Sequence, residues 1–382
     1  MDNLVISYNL HRIRKNKHLS QDAIAKIAGI SRVAYRSIEA GSSSPRVSTL
    51  QNLASALDVK LVDLLTPVKA LKNVRYRSFK RMNSRDSILI DVGKWLDDYN
   101  YLEEILDQKA SYIFTGFQDL LPQDLVGEAR SKYAAQMARK VLGLNGNDSI
   151  RDIAGLIEDN GIKLYPIKLV SDGFFGLSVS EYDGGPAIVV NVWERISVER
   201  WIFSAAHELG HLLLHLDSYD VDQVTEDESQ EDEANVFASY FLMPEDPFNS
   251  EWQETAGLDL VERVLKLKSI FNVSYRTVLY RISEKLGKDI WPRFNMAYAG
   301  KYGHCLKRSE EPMALNPSYF HCGPEMLRAN EPEAISHRNF VEDHLSRLVR
   351  LAVETEKISL GRGAEILGYD LIKMREIVSS WV

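Results

Sequence analysis

The stretch RWIFSAAHELGHLLLHL, residues 200–216, limits what this 382-residue chain can fold into more than any other segment. From Ser197 to Leu216 it reads as one helix with a single glycine and no proline. Its apolar face calls for burial inside a domain. His207 and His211 stand four residues apart and therefore share one face. Two imidazoles one turn apart suit a Zn²⁺ ion. Glu208, beside them, need not ligate and can accept a proton from water activated there.

A third protein ligand is required. His215 repeats the four-residue step, but eight residues along a helix rise about 12 Å, too far for one ion to bridge from His207. No glycine breaks the helix between His211 and His215, so His215 reads as a structural residue or a partner of a ligand. The next helix, EDEANVFASYFLMP, is halted at Pro244 and offers Glu231, Asp232 and Glu233. The residues alone leave these three open. The stretch 217–233, with nine acidic residues, reads as a solvated loop, or as one that covers the cleft or repels DNA phosphate.

Charge divides the chain. Residues 1–85 carry 16 Lys or Arg against 5 Asp or Glu, and the remainder 30 against 49. A basic end on an acidic protein keeps its own local potential and fits a nucleic-acid module. Residues 4–65 read as five short helices. Ser20 and Ser31 are N-caps, Gly29 is a stop, and Leu19, Ile24, Ala28, Ile30, Ile38, Leu50, Leu53, Ala54, Leu57, Val59 and Leu64 form a core. The connector VKALKNVRYRSFKRMNSR, residues 68–85, has seven cations and no acid; it reads as a solvated linker or as an arm on phosphate. Residues 86–145 look helical. The segments IKLYPI, FFGLSVSEY and PAIVVNV are short and β-rich, with EYDGGP as a hairpin turn. Residues 290–332 look irregular, and the chain ends in a helix-turn-helix-like stretch read as a hairpin completing the fold. His304-Cys305 and His321-Cys322 are spaced poorly for zinc and read as structural. No run reaches about 18 apolar residues, so no membrane span is expected, and two cysteines suit a reducing cytoplasm.

Two resemblances add to this. LSQDAIAKIAGISRVAYRSIEAG, continuing through LASALDV, resembles the XRE family of phage-repressor-like helix-turn-helix proteins over residues 4–65. That resemblance implies a recognition helix beginning at Ser31. Arg32, Val33 and Ser37 are its base-edge readers, Arg36 lies close by, and Gln21 contacts phosphate. Tyr35, where the family often has an aliphatic residue, is expected in the core. HELGHLLLH followed by EANVFASYFLMP resembles the ImmA/IrrE metallopeptidases, together with ARKVLGL, DIAGLIEDNGIKLY, GLSVSEYDGGPAIVVN and NVSYRTVLYRISEKLG, across roughly residues 130–287. It implies a gluzincin-like site in which His207, His211 and Glu233 hold Zn²⁺ and Glu208 is the catalytic base.

The expected architecture is multidomain. An all-α helix-turn-helix domain (1–67) precedes a basic linker and helical connector (68–126), an α+β zincin-like metallopeptidase domain (127–289) and a helical C-terminal region (290–382). The expected function is a homodimeric, operator-binding transcriptional regulator. Its zinc endopeptidase cleaves a regulatory protein, such as a repressor, in stress-response, mobile-element or toxin–antitoxin control. The rival expectation is a repressor or antitoxin whose zincin domain binds a partner or senses a signal without cutting.

Overall fold

The computed structural model describes residues 3–17, 19–67, 71–76, 85–144, 149–171, 173–219, 227–307, 310–320 and 343–381. They fall into two compact units, residues 1–71 with 80–97, and 72–79 with 98–382.

The first unit opens with five helices: α1 (Asn3–Asn16), α2 (Gln21–Ile27), α3 (Arg32–Glu39), α4 (Val47–Ala56) and α5 (Leu61–Leu65). Ser20 and Ser31 cap α2 and α3, each Oγ accepting from the amide three residues on at 3.1 Å. Gly29 takes the left-handed conformation between them, which a residue with a Cβ adopts only under strain. Ile6, Leu10, Ile24, Tyr35, Ile38, Leu50, Leu53 and Leu64 pack into one core. The bundle also encloses an ion pair. Glu39 accepts from the Arg14 guanidinium, from Gln21 Nε2 at 3.1 Å and from His11 Nδ1 at 2.8 Å. The Arg14 and Glu39 side chains are 8% and 3% exposed. Burial alone pushes the Glu39 carboxyl up, and Arg14, Gln21 and His11 outweigh it and hold the pKa below the usual range.

Helix α6 (Arg85–Leu106) contributes to both units. The second unit contains β1 (Val74–Tyr76), α7 (Gly127–Val141), α8 (Ile153–Asp159), β2 (Lys163–Ile167), β3 (Gly176–Val179) and β4 (Ala187–Asn191). It continues with α9 (Val198–Leu214), α10 (Glu228–Leu242), α11 (Glu245–Glu254), α12 (Leu260–Phe271), α13 (Tyr275–Leu286) and α14 (Ile290–Tyr302). The last helices are α15 (His344–Glu354), α16 (Leu360–Ile366) and α17 (Leu371–Ser379). The sheet order is β1-β3-β4-β2, with β2 parallel to β4 and the other pairs antiparallel. Helix α9 packs on β3 and β4 and also on α7 and α10. That surround explains why nearly all of its residues are buried, polar ones included.

Three of the four strands lie where the β-rich segments predicted them. The fourth, β1, comes from the basic connector, and its Val74 is buried opposite Val179. Three residues are too few to show an alternating pattern, so only β3 reveals it. Residues 290–302 are helical rather than irregular. Pro292 sits in the first turn of α14, where its missing N–H deprives no carbonyl of a helical partner. In α16–α17 the turn repeats that of α2–α3: Gly368 has φ +68° where Gly29 has +69°. The Tyr369 amide reaches Ala364 O at 2.9 Å, as Ile30 reaches Ala25 O at 3.0 Å. His321 and Cys322 lie outside the described residues, and Cys305 is exposed. Among the described residues, no helix is long and apolar enough to cross a membrane.

Replacing Glu39 by Ala leaves Arg14 charged and buried without its counterion. The expected cost is about 3–5 kcal/mol in the first unit. It is read by hydrogen exchange as lost protection in α1–α4, with α9 and α10 amides unchanged.

Candidate metal centre and recognition helix

Two helices bring the metal-type side chains together. In α9 nearly every residue from Val198 to Leu214 is buried, His207, Glu208 and His211 among them. Gly210 faces α10: a Cβ there would lie 2.9 Å from Phe237 Cδ1, so the glycine permits the close approach of the two helices. That approach sets the carboxylate of Glu231, at the start of α10, against both imidazoles. Its oxygens lie 3.3 Å from His207 Nε2 and 3.2 Å from His211 Nε2, and the two Nε2 atoms are 3.0 Å apart. One donor atom from each of the three buried residues lies within 4.8 Å of the others.

Glu233, the expected third donor, is not in this group. Residues two apart on a helix are turned about 200° from each other, so only one of Glu231 and Glu233 can face α9's histidine pair. Glu233 instead accepts from His215 Nε2 at 3.0 Å and lies 3.8 Å from Arg130. Asn235, one turn after Glu231, shares its face and meets His207 Nδ1 at 3.1 Å.

With zinc on the inner nitrogens, these outer contacts would set the tautomers. A carboxylate only accepts, so His215 carries its proton on Nε2 and presents the Nδ1 lone pair. His211 Nδ1 lies 2.9 Å from that atom and therefore donates, which turns the His211 Nε2 lone pair inward. Asn235 Oδ1 does the same for His207. Burial holds the His211 and His215 imidazoles below their ordinary pKa, consistent with neutral rings. Two inward lone pairs and a carboxylate are the donor set a divalent zinc ion takes, with second-shell partners already in place.

Glu208 belongs to the same site from the other side. Its Oε2 accepts from Ser178 Oγ on β3 at 2.9 Å, and Ser178 Oγ accepts from the Tyr219 hydroxyl at 2.8 Å. Burial pushes the Tyr219 phenol well above its ordinary value, so it stays a donor. Gly176 lies against Glu208: a Cβ there would meet Val189 O at 2.9 Å and Glu208 Oε1 at 3.1 Å. Arg75 of β1 donates to Glu231 Oε1 at 3.3 Å and to Gln230 Oε1. Sequence reading missed Arg75, Ser178, Tyr219 and Asn235. Asn235 alone left a signal, its four-residue spacing from Glu231.

In the first unit, Arg32, Val33 and Arg36 are exposed on α3 and Ser37 is half-buried, while Ser31 caps the helix. Val33 is 75% exposed, an aliphatic side chain turned to solvent at the start of a helix. Arg32 lies 3.3 Å from Asp22. Gln21, half-buried at the start of α2, donates from its amide to Glu39. Tyr35 is fully buried, as expected.

A helix-turn-helix unit with cationic residues exposed on α3, joined to an α+β unit with this His/Glu site, defines the class: a DNA-binding regulator with a peptidase-type domain. A family model described as helix-turn-helix matches residues 10–64, and the peptidase M78 model, described as an IrrE N-terminal-like domain, matches residues 158–283. The chain is 36% identical over 85 residues to the uncharacterized HTH-type transcriptional regulator YqaE of Bacillus subtilis, covering 22% of this chain and 73% of YqaE. It is 38% identical over 63 residues to the uncharacterized HTH-type transcriptional regulator y4dJ of Sinorhizobium fredii, covering 16% of this chain and 82% of y4dJ. The chain belongs to the helix-turn-helix transcriptional regulators of this type, and it carries an IrrE-like peptidase M78 domain.

Glu231→Gln and Glu233→Gln separate the two carboxylates. Zinc bound per chain, measured by atomic emission, is expected to fall below about a tenth in the first variant. In the second it stays near stoichiometric with affinity weakened about 10–100-fold, the usual cost of removing an outer partner.

Proposed function

We propose that the second unit is a zinc-dependent endopeptidase, and that the chain is an operator-bound regulator that cuts a regulatory protein. The observation that carries this reading is the convergence of His207, His211 and Glu231 with the Ser178-held carboxylate of Glu208 in one buried site. When bound, zinc supplies Lewis-acid chemistry, acidifying water and polarising a peptide carbonyl.

The chain's own residues do the rest. His207, His211 and Glu231 hold the ion, while His215, Asn235 and Glu233 orient the rings. Glu208 takes the proton from the attacking water and delivers it to the departing amine. Ser178 and Tyr219 fix the carboxylate's direction by donating in sequence toward it. The apolar residues of α9 and α10 lower the local dielectric, which strengthens each of these interactions.

In the first unit, Arg32, Val33, Arg36 and Ser37 read base edges in the major groove of double-stranded operator DNA, and the Ser31 end of α3 approaches the backbone. Gln21, being held by Glu39, acts by bracing α2 against α3. Paired half-sites call for a homodimer. The substrate is a repressor or cognate partner protein within the same cytoplasm. One observation favours a second reading, a regulator that binds a partner without cutting: Arg75 gives Glu231 a cationic partner of its own.

Two measurements decide. Protein purified without chelator is expected to hold one zinc per chain. Glu208→Gln is expected to keep that metal while target cleavage, followed by comparing the proteomes of expressing cells, drops about 10²–10⁴-fold. Metal-free protein, or equal cleavage by the variant, overturns the peptidase. Binding to DNA upstream of its own gene is expected to weaken with salt and to fall at least about tenfold in Arg32→Ala with Arg36→Ala. Unchanged affinity removes α3 as the reading helix.

A further inference from the structure

We propose that strand β1 is a built-in competitor of the peptide substrate. It covers the sheet edge beside Glu208 and grips Glu231 through Arg75, keeping the peptidase unit latent until residues 72–76 are displaced. The proposal rests on the peptidase reading above and adds the regulation of that site.

The sheet places β3 between β4 and β1, with β1 at the edge. The pairing is antiparallel, Val74 with Val179, Arg75 with Ser178 and Tyr76 with Leu177. Residues directly opposite in such a pair project to the same face. Ser178 is the residue that donates to Glu208, so Arg75 projects toward the site as well. Its guanidinium ends on Glu231 and Gln230, and the Arg75 and Glu231 side chains are 12% and 11% exposed.

Without β1, the outer side of β3 would present unpaired N–H and C=O groups next to Glu208. Such an edge is a template on which an extended peptide adds as a further strand. β1 already occupies it, and is fastened there at its start. The buried Asp183 carboxylate, in the turn of the β3–β4 hairpin, accepts from the Lys72 and Asn73 amides, and the Ser180 amide donates to Asn73 O at 3.1 Å. The fastening is therefore threefold: the Asp183 clamp, the ladder and the guanidinium.

Strand β1 also lies outside the matched IrrE-like region, which begins at residue 158. It comes from the connector, between two stretches of sequence that belong to the first unit. A fixed positive charge on Glu231 opposes a divalent cation there, and the opposition is reciprocal. Whatever lifts Arg75 away favours metal, and metal favours release of Arg75. An extended segment pairing with β3 would displace β1 and draw Arg75 off Glu231 in one movement, so substrate capture and tighter metal holding are coupled.

The test uses the full chain and two probes. Zinc affinity is measured by competition with a chromogenic chelator in wild type, Arg75→Met and Arg75→Lys. The expected result is about tenfold tighter binding in Arg75→Met, with Arg75→Lys within about threefold of wild type. Unchanged or weaker zinc binding in a folded Arg75→Met overturns the competition by Arg75. The second probe is a fluorescent peptide of sequence VRYRSF, which lacks the two residues that Asp183 holds, titrated without metal. It is expected to bind Arg75→Met with Asp183→Asn at least about tenfold more tightly than wild type. Equal affinity for both, or none for either, overturns the covered edge. If the double variant does not fold, Arg75→Met alone is titrated against the same criterion. Should no form bind zinc, the peptidase reading fails by itself, and the metal-free titration still decides whether β1 covers a peptide-accepting edge.

Discussion

The close approach of α9 and α10 at Gly210 and Phe237 is the constraint from which the site follows. With a Cβ at position 210 the Phe237 ring would be pushed away, and the start of α10 with it. Closely packed, the two helices bury an apolar surface around two imidazoles and two carboxylates. Each large aliphatic or aromatic side chain removed from water contributes about 1.5–3 kcal/mol. Leu209, Leu212, Leu213, Phe237 and Phe241 all belong to that core. The outer polar groups are answered: His207 by Asn235, His211 by His215, His215 by Glu233, and Glu208 by a serine held by a tyrosine.

Enclosure also gives the polar chain its direction. Glu233 acts on His215, His215 on His211, and His211 turns a lone pair toward His207 and Glu231. Because a carboxylate only accepts, proton positions along the chain follow from Glu233, although it never reaches the donor group itself. The acidic residues at the start of α10 thus divide their work by helical phase. Glu231 faces the histidine pair, and Glu233 faces the residue that orients one of them.

The first unit solves a similar problem with one ion pair. Arg14 and Glu39 lie inside a small bundle whose apolar core has little area to spare, and Glu39 gathers Arg14, Gln21 and His11 onto one carboxylate. That knot joins α1, α2 and α3, so α3 is held while its outer face stays free for contact. The connector between the two stretches of this unit is more than a tether, since three of its residues complete the other unit's sheet.

Much of this was legible in the residues. The five N-terminal helices, their serine caps, the buried Tyr35, the long apolar helix and its histidine pair follow from spacing and capping chemistry, which act over a few residues. Three β segments were legible for the same reason. The sequence could not choose between Glu231 and Glu233. The later part of α10 is buried on all sides, so apolar periodicity does not mark the face that meets α9. Nor could it find β1, Arg75, Ser178 or Tyr219, whose meaning lies in partners roughly 30 to 150 positions away. Local chemistry determined which helices form and which carried candidate ligands; tertiary packing decided which carboxylate lies against the histidine pair and which strand pairs with β3, because phase and pairing exist only between elements.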